Sequence, residues 1–147
     1  MSAIRIAVVL SRFNQEITDG LLRGALGYLS EAGAPVDASD VIEAPGAFET
    51  PLLAQQLAST GRYHGVVCLG CVIKGDTAHF EFISLGAAMG IMTATLQTGL
   101  PISFGILTTY SEEQAEARSR PDAENKGREA AAACLATIRT LRSIAAG

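Results

Sequence analysis

Short β-rich runs alternate with longer helical runs along this chain, and that alternation restricts it to βαβ units around a mostly parallel sheet. The first strand reads from Ile4 to Leu10. A helix follows from about Thr18, with Leu21, Leu22, Ala25, Leu29 and Ala32 at helical spacing and Gly33 as its stop. A weaker strand spans Val36 to Ile42, and Pro51 opens a helix that Gly61 ends. The third strand runs from Gly65 to Leu69, with an extension to Ile73, and a helix begins near Thr77. The fourth strand is Ile102 to Leu107. Ser111 and Gln114 form a capping-box signature, Pro121 breaks the helix that follows, and an alanine-rich helix covers Ala123 to Ile144. With 147 residues, no repeat and no long linker, a single domain over residues 1–147 is expected.

The stretch from Phe82 to Tyr110 carries no charged residue. A membrane span needs about 20 apolar residues, but Gly86, Gly90, Thr93, Thr95, Gln97 and Thr98 and the breaker Gly99-Leu100-Pro101 argue against one. A helix from Phe80 to Leu96 that is apolar or small on every face is expected to be buried all round. Helices covering a sheet in so small a domain keep one wet face, so the second face is expected to meet another subunit. The sequence predicts a homo-oligomer.

The net charge of −4 and the lack of a Lys/Arg cluster exclude a nucleic-acid surface, which needs cations to neutralise phosphates. The apolar run at the N-terminus lacks a cleavage site and reads as a strand, so the cytoplasm is expected. Of the three cysteines, Cys68 and Cys71 form a C-x-x-C. Residues three apart on a strand point to opposite faces, and no second ligand pair is present, so buried apolar fillers are expected rather than a metal site.

Each chemically suggestive segment follows a strand, where ligands bind in open α/β sheets. Gly75-Asp76-Thr77 lies where a strand gives way to a helix, a place suited to phosphate and equally to an ordinary turn and cap. His79, in the next turn, is one of two histidines and belongs to the residue type that exchanges protons near neutrality. His64 sits at the opposite end of the sheet and reads as solvated. Phe13-Asn14 and Phe48-Glu49 pair an aromatic face with a polar neighbour, fit for a planar heterocycle or for a hydrophobic staple and helix start. Arg118 and Lys126 flank the Pro121 break, either as a solvated helix end or as a cation pair for an anion.

Together, Ser11-Arg-Phe-Asn14, Ile17-Thr-Asp-Gly20, Pro45-Gly-Ala-Phe-Glu49, Val72-Ile-Lys-Gly-Asp-Thr-Ala-His-Phe-Glu81, Phe104-Gly-Ile-Leu-Thr-Thr109 and Asn125-Lys-Gly127 resemble the lumazine synthase family. The resemblance implies a flavodoxin-like three-layer α/β sandwich, a mainly four-stranded parallel sheet with helices on both faces, assembled in pentamers. It implies condensation of 5-amino-6-(D-ribitylamino)uracil with 3,4-dihydroxy-2-butanone 4-phosphate to 6,7-dimethyl-8-ribityllumazine, in riboflavin biosynthesis, with neither metal nor organic cofactor. Association with riboflavin synthase belongs to the same expectation.

By motif match, Phe13 stacks on the pyrimidine beside Asn14. Ala47, Phe48 and Glu49 line the ribityl chain and ring edge, and Cys71, Val72 and Ile73 the ring. Asp76 and Thr77 hold the phosphate, and His79 shuttles protons. Phe104, Arg118 and Lys126 reach in from a neighbouring subunit. The chain departs from the family pattern in the helix after His79, which reads Phe82-Ile-Ser-Leu-Gly-Ala-Ala-Met89 where many members carry an Asn-Glu pair, and at Arg120-Pro121-Asp122. Its start almost at the first strand favours a pentamer or decamer over an icosahedral shell. A riboflavin synthase of the same fold and a flavin-binding module are the competing possibilities. His79 together with Arg118 and Lys126 favours the phosphate-handling enzyme.

Overall fold

The computed structural model describes residues 3–147. Nine elements follow in order: β1 (Ile6–Ser11), α1 (Gln15–Glu31), β2 (Val41–Ala44), α2 (Thr50–Ala58), β3 (Gly65–Ile73), α3 (His79–Thr98), β4 (Ile102–Thr109), α4 (Glu112–Ala117) and α5 (Lys126–Ala145). All pairings are parallel, in the four-stranded order β2-β1-β3-β4. This is the flavodoxin-like arrangement implied by the resemblance.

Alternation along the strands builds the three layers. Ile6, Val8 and Leu10 of β1 pack with Leu21, Ala25 and Leu29 of α1 and with Ala131, Leu135 and Ile138 of α5. Ala7 and Val9 face the other way, into a second core with Ala54 and Leu57 of α2 and Ala87, Ile91 and Ala94 of α3. Cys68 and Cys71 fall in different cores, as their spacing requires. All three thiols are free and buried, and burial pushes Cys68 and Cys134 up to about 12 and Cys71 up to about 11. The helix α1 crosses α5 at close range because Gly127 has no Cβ. One built there would collide with the Leu21 carbonyl.

The element boundaries differ from expectation for physical reasons. α1 begins at Gln15 because the Asn14 carbonyl accepts from the N–H groups of Ile17 and Thr18, starting the helix among polar residues that apolar spacing does not register. β2 is shorter and later than Val36 to Ile42, because Ala38–Asp40 form a 3-10 turn that carries the Asp40 side chain inward. α5 starts at Lys126, capped by Asn125. The buried Asn125 amide donates to the carbonyls of Gly20 at 3.1 Å and Arg120 at 2.9 Å, while its Oδ1 accepts from Arg128 N at 3.0 Å. Ser111 Oγ accepts from Gln114 N, as the capping signature requires, but the Gln114 side chain accepts from Tyr110 N, one residue earlier than a standard box.

One expectation is corrected. His64 is not merely solvated: its Nδ1 accepts from Arg5 N at 2.9 Å, extending the link between the starts of β1 and β3. Within one chain α3 leaves uncovered the face expected to meet another subunit. Phe82, Leu85, Met89, Met92 and Leu96 are exposed, from 60% to 75%, on the face turned away from the sheet. Among the described residues α3 is the one helix long and apolar enough to cross a membrane. Its inner face is nonetheless packed on the sheet through Ala87, Ile91 and Ala94.

Asp40 anchors the end of the sheet away from the motifs. It accepts from Arg5 Nε at 3.1 Å, Arg5 Nη2 at 2.9 Å and the Tyr63 hydroxyl at 2.8 Å. The Arg5 guanidinium lies 5.0 Å from the Tyr63 ring centroid. The hydrogen bonds from Arg5 hold the Asp40 carboxyl below its usual range against the opposing effect of burial. A carboxylate with a depressed folded-state pKa stabilises the fold above its unfolded value of about 3.9 and loses that contribution as pH falls through the folded one. Asp40→Asn is therefore expected to cost about 1–2 kcal/mol at pH 7, kept modest because Arg5 is half exposed. The deficit should shrink below about pH 4. Urea unfolding of both proteins at matched concentration, at pH 7 and pH 3, measures it; a deficit that does not change with pH would contradict the assignment.

Candidate active site

The ends of β1, β2 and β3 and the first turns of α3 enclose a cleft of about 540 Å³. Phe13 and Asn14 enter from β1, Ala47, Phe48 and Glu49 from the turn after β2, Cys71, Val72 and Ile73 from β3, and Gly75, Thr77 and His79 from the loop into α3. The cleft thus gathers segments that are far apart in sequence but adjacent in the order β2-β1-β3. Its aromatic walls are available to a ligand, with Phe13 68% and Phe48 57% exposed.

The loop after β1 is held by an unusual conformation. Asn14 has φ 60° and ψ 52°, and is the one non-glycine residue with positive φ among the described residues. Its Nδ2 donates to the Cys71 carbonyl at 2.9 Å. The Asn14 amide nitrogen is thereby engaged by protein, and it fixes the turn that projects Phe13. Cys71 meets the cleft while its buried thiol packs in the core between the sheet and α1 and α5. Asparagine tolerates the left-handed region better than alanine, and glycine better still. Asn14→Ala is expected to be less stable than Asn14→Gly by about 1–2 kcal/mol, read from denaturant midpoints. Equal midpoints would remove the backbone conformation from the account.

At the α3 end, Thr77 Oγ1 accepts from the backbone N–H of His79 at 3.3 Å. His79 is the first residue of α3 and is exposed. Lys74 pairs with Glu81 at 3.4 Å, so its ammonium leans along the helix. Asp76 is exposed and does not line the cleft, unlike its neighbours Gly75 and Thr77.

Phe104, Arg118 and Lys126 lie elsewhere. They line a separate cavity of about 290 Å³ along β4 and the start of α5, which shares no lining residue with the first. Lys126 N donates to the Arg118 carbonyl at 2.9 Å, closing the Pro121 loop so that both residues line this cavity. Arg118 Nη1 donates to the Gln114 carbonyl at 3.0 Å, and Lys126 pairs with Glu129 at 3.3 Å. One chain therefore brings His79 together with Phe13, Phe48, Cys71, Val72 and Ile73, but not with Arg118 and Lys126.

Sequence analysis did not single out Phe80 and Ile83, which line the main cleft from α3. Ile83 follows His79 by four residues and so shares its helical face, a signal that the uniformly apolar helix obscured. Among the described residues, no group of three His, Cys, Asp or Glu side chains is placed to hold a metal ion.

This geometry defines an α/β protein with an aromatic-walled ligand cleft at the carboxyl ends of a parallel sheet and a histidine at the cleft's helix terminus. The profile of the 6,7-dimethyl-8-ribityllumazine synthase family matches residues 3–142, and the chain belongs to that family. It is 71% identical over 140 residues to 6,7-dimethyl-8-ribityllumazine synthase 1 of Caulobacter vibrioides, covering 95% of this chain and 92% of the relative. It is 45% identical over 141 residues to the synthase of Nitratidesulfovibrio vulgaris strain Miyazaki F, covering 96% and 90%. With that of Salinibacter ruber the identity is 47% over 131 residues, covering 89% and 84%. The chain is an enzyme of this type, acting in riboflavin biosynthesis.

Proposed function

We propose that the protein condenses 5-amino-6-(D-ribitylamino)uracil with 3,4-dihydroxy-2-butanone 4-phosphate to give 6,7-dimethyl-8-ribityllumazine, phosphate and water. The observation that carries this is the single cleft in which Phe13, Ala47-Phe48-Glu49, Val72-Ile73 and His79 meet. The pyrimidine stacks on Phe13 against Val72, Ile73 and the backbone of Cys71, with the Oδ1 edge of Asn14 beside it. Ala47, Phe48 and Glu49 take the ribityl chain and ring edge. Backbone N–H groups at Asp76 and Thr77, with the Thr77 hydroxyl, hold the phosphate at the start of α3.

The chemistry suits these groups. The uracil's amine adds to the ketone and water leaves. Phosphate is then lost, the enol rearranges to a new carbonyl, and the second amine closes the ring on it with release of water. Each step moves a proton or shifts charge, and His79 serves as the shuttle, a role worth about 10²–10⁴-fold. Holding both reactants together supplies much of the rest, since effective molarities of about 10⁵ M are attainable.

Phe104, Arg118 and Lys126 of a neighbouring copy complete the site, with Arg118 on the phosphate. Two observations support this: the cation pair lies outside the His79 cleft of its own chain, and α3 exposes an apolar face that a second copy would cover. A pentamer-based assembly in the cytoplasm, and association with riboflavin synthase, belong to the same proposal. Mixing the two substrates with the protein and following lumazine absorbance tests the activity. Product is expected well above the uncatalysed rate. Tight lumazine binding without product formation would instead identify a binding module.

A further inference from the structure

The α3 helix does more than present His79, because its backbone is bare where the cleft wall rests on it. A Cβ built on Gly86 would lie 2.7 Å from Cε1 and 3.2 Å from Cδ1 of Phe48. Ordinary carbon contacts need about 3.5–4.0 Å, so any side chain at 86 must displace the ring. One turn later a Cβ on Gly90 would lie 2.8 Å from both Cβ and Cγ of Pro51. Residues four apart share a helical face. The 3-10 turn Ala47–Glu49 and the first turn of α2 therefore sit directly on the α3 backbone. Phe48 fills the slot over Gly86 on one side and lines the cleft on the other. Being more than half exposed, its ring has freedom to move toward the open cleft.

We infer that Gly86 is a positioning residue: the missing Cβ sets how deeply the Phe48 ring seats on α3, and so fixes the width of the cleft for the planar heterocycle and its polyol chain. The identity of that ligand rests on the proposed function. Gly90 seats Pro51, which does not line the cleft, so it holds the scaffold without touching the ligand space.

Gly86→Ala is the direct test, and alanine is the stronger helix former, so α3 itself is not at risk. The KM for the ribitylaminouracil is expected to rise about five- to tenfold, with kcat and the KM for the sugar phosphate within about twofold. Gly90→Ala, which crowds Pro51 instead, should leave the KM values unchanged. In a Phe48→Leu background, the increment from Gly86→Ala should fall below about twofold, because the ring it displaces is gone. An unchanged KM in Gly86→Ala, an equal rise in Gly90→Ala, or an undiminished increment in the Phe48→Leu background overturns the inference. Fluorescence titration with 6,7-dimethyl-8-ribityllumazine gives the same comparison without turnover. Weaker binding by Gly86→Ala than by the wild type supports the slot, and equal binding overturns it. A wild-type protein that binds this lumazine without forming it refutes the proposed activity alone, since the binding comparison then decides on Gly86. A wild-type protein that does not bind it refutes both.

Discussion

Replacing His79 with alanine is expected to lower kcat about 10²-fold or more while leaving the KM for the ribitylaminouracil within about twofold. The separation follows from the layout of the cleft. The surfaces proposed to hold a flat ring, Phe13, Phe48, Val72 and Ile73, are carried by the ends of β1 and β3 and by the turn after β2. His79 reaches the cleft from the first residue of α3, where its backbone N–H donates to Thr77 Oγ1. Removing the imidazole should leave the proposed stacking surfaces and phosphate-binding turn in place. The residual rate in His79→Ala should come from holding the two reactants together. Steady-state kinetics with each substrate varied in turn measures both constants. An unchanged kcat would remove His79 from the mechanism, and a large rise in KM with normal kcat would make it a binding residue.

Arg118→Ala is expected to raise the KM for the sugar phosphate about 10²-fold, as loss of a bidentate, charge-assisted contact does in a site with few other cations. The KM for the uracil should move little. Because Arg118 and His79 line different cavities of one chain, the two substitutions are expected to damage opposite halves of the proposed composite site. Inactive His79→Ala and Arg118→Ala chains, unfolded together and reassembled, should then regain activity wherever a wild-type His79 faces a wild-type Arg118 across the interface. The mixture should exceed the sum of the separately reassembled variants. No gain on mixing, with mixed assemblies demonstrated by mass, would place both residues in one chain's site. The exposed run Phe82, Leu85, Met89, Met92 and Leu96 names the surface to break in a complementary experiment. A charge at Met89 should disfavour assembly, and with it the activity.

Much of the fold was legible because it is written in local periods. Leu21, Ala25 and Leu29 repeat at helical spacing and are buried against the sheet. The opposed directions of Cys68 and Cys71 follow from strand geometry alone. The charge-free stretch correctly announced a helix with more apolar surface than one chain can cover, although its outer face is exposed rather than buried within the chain. Boundaries were less legible. Gln15 and Glu16 start α1 but carry no apolar signal, and Val36 lies before a turn rather than in β2 because Asp40 is drawn in by Arg5 and Tyr63. That triad joins residues 35 and 23 positions apart, and no local pattern marks it.

The cleft shows the same division. Each of its motifs was visible as residues after a strand, and the peptide Gly70 to His79 announced a strand-to-helix turn with a histidine in it. Sequence alone thus determined the layer type, the parallel sheet, the strand-end location of the chemistry and the excess apolar face of α3. Tertiary structure alone decided that Phe13, Phe48 and His79 share one cavity while Arg118 and Lys126 share another. It also decided that Asn14 holds the β1 loop in a left-handed turn, and that Gly86 is the seat of Phe48. The physical reason is one of range. Periodicity records which face of an element avoids water, whereas strand order, register and the closeness of helix packing determine which of those faces meet.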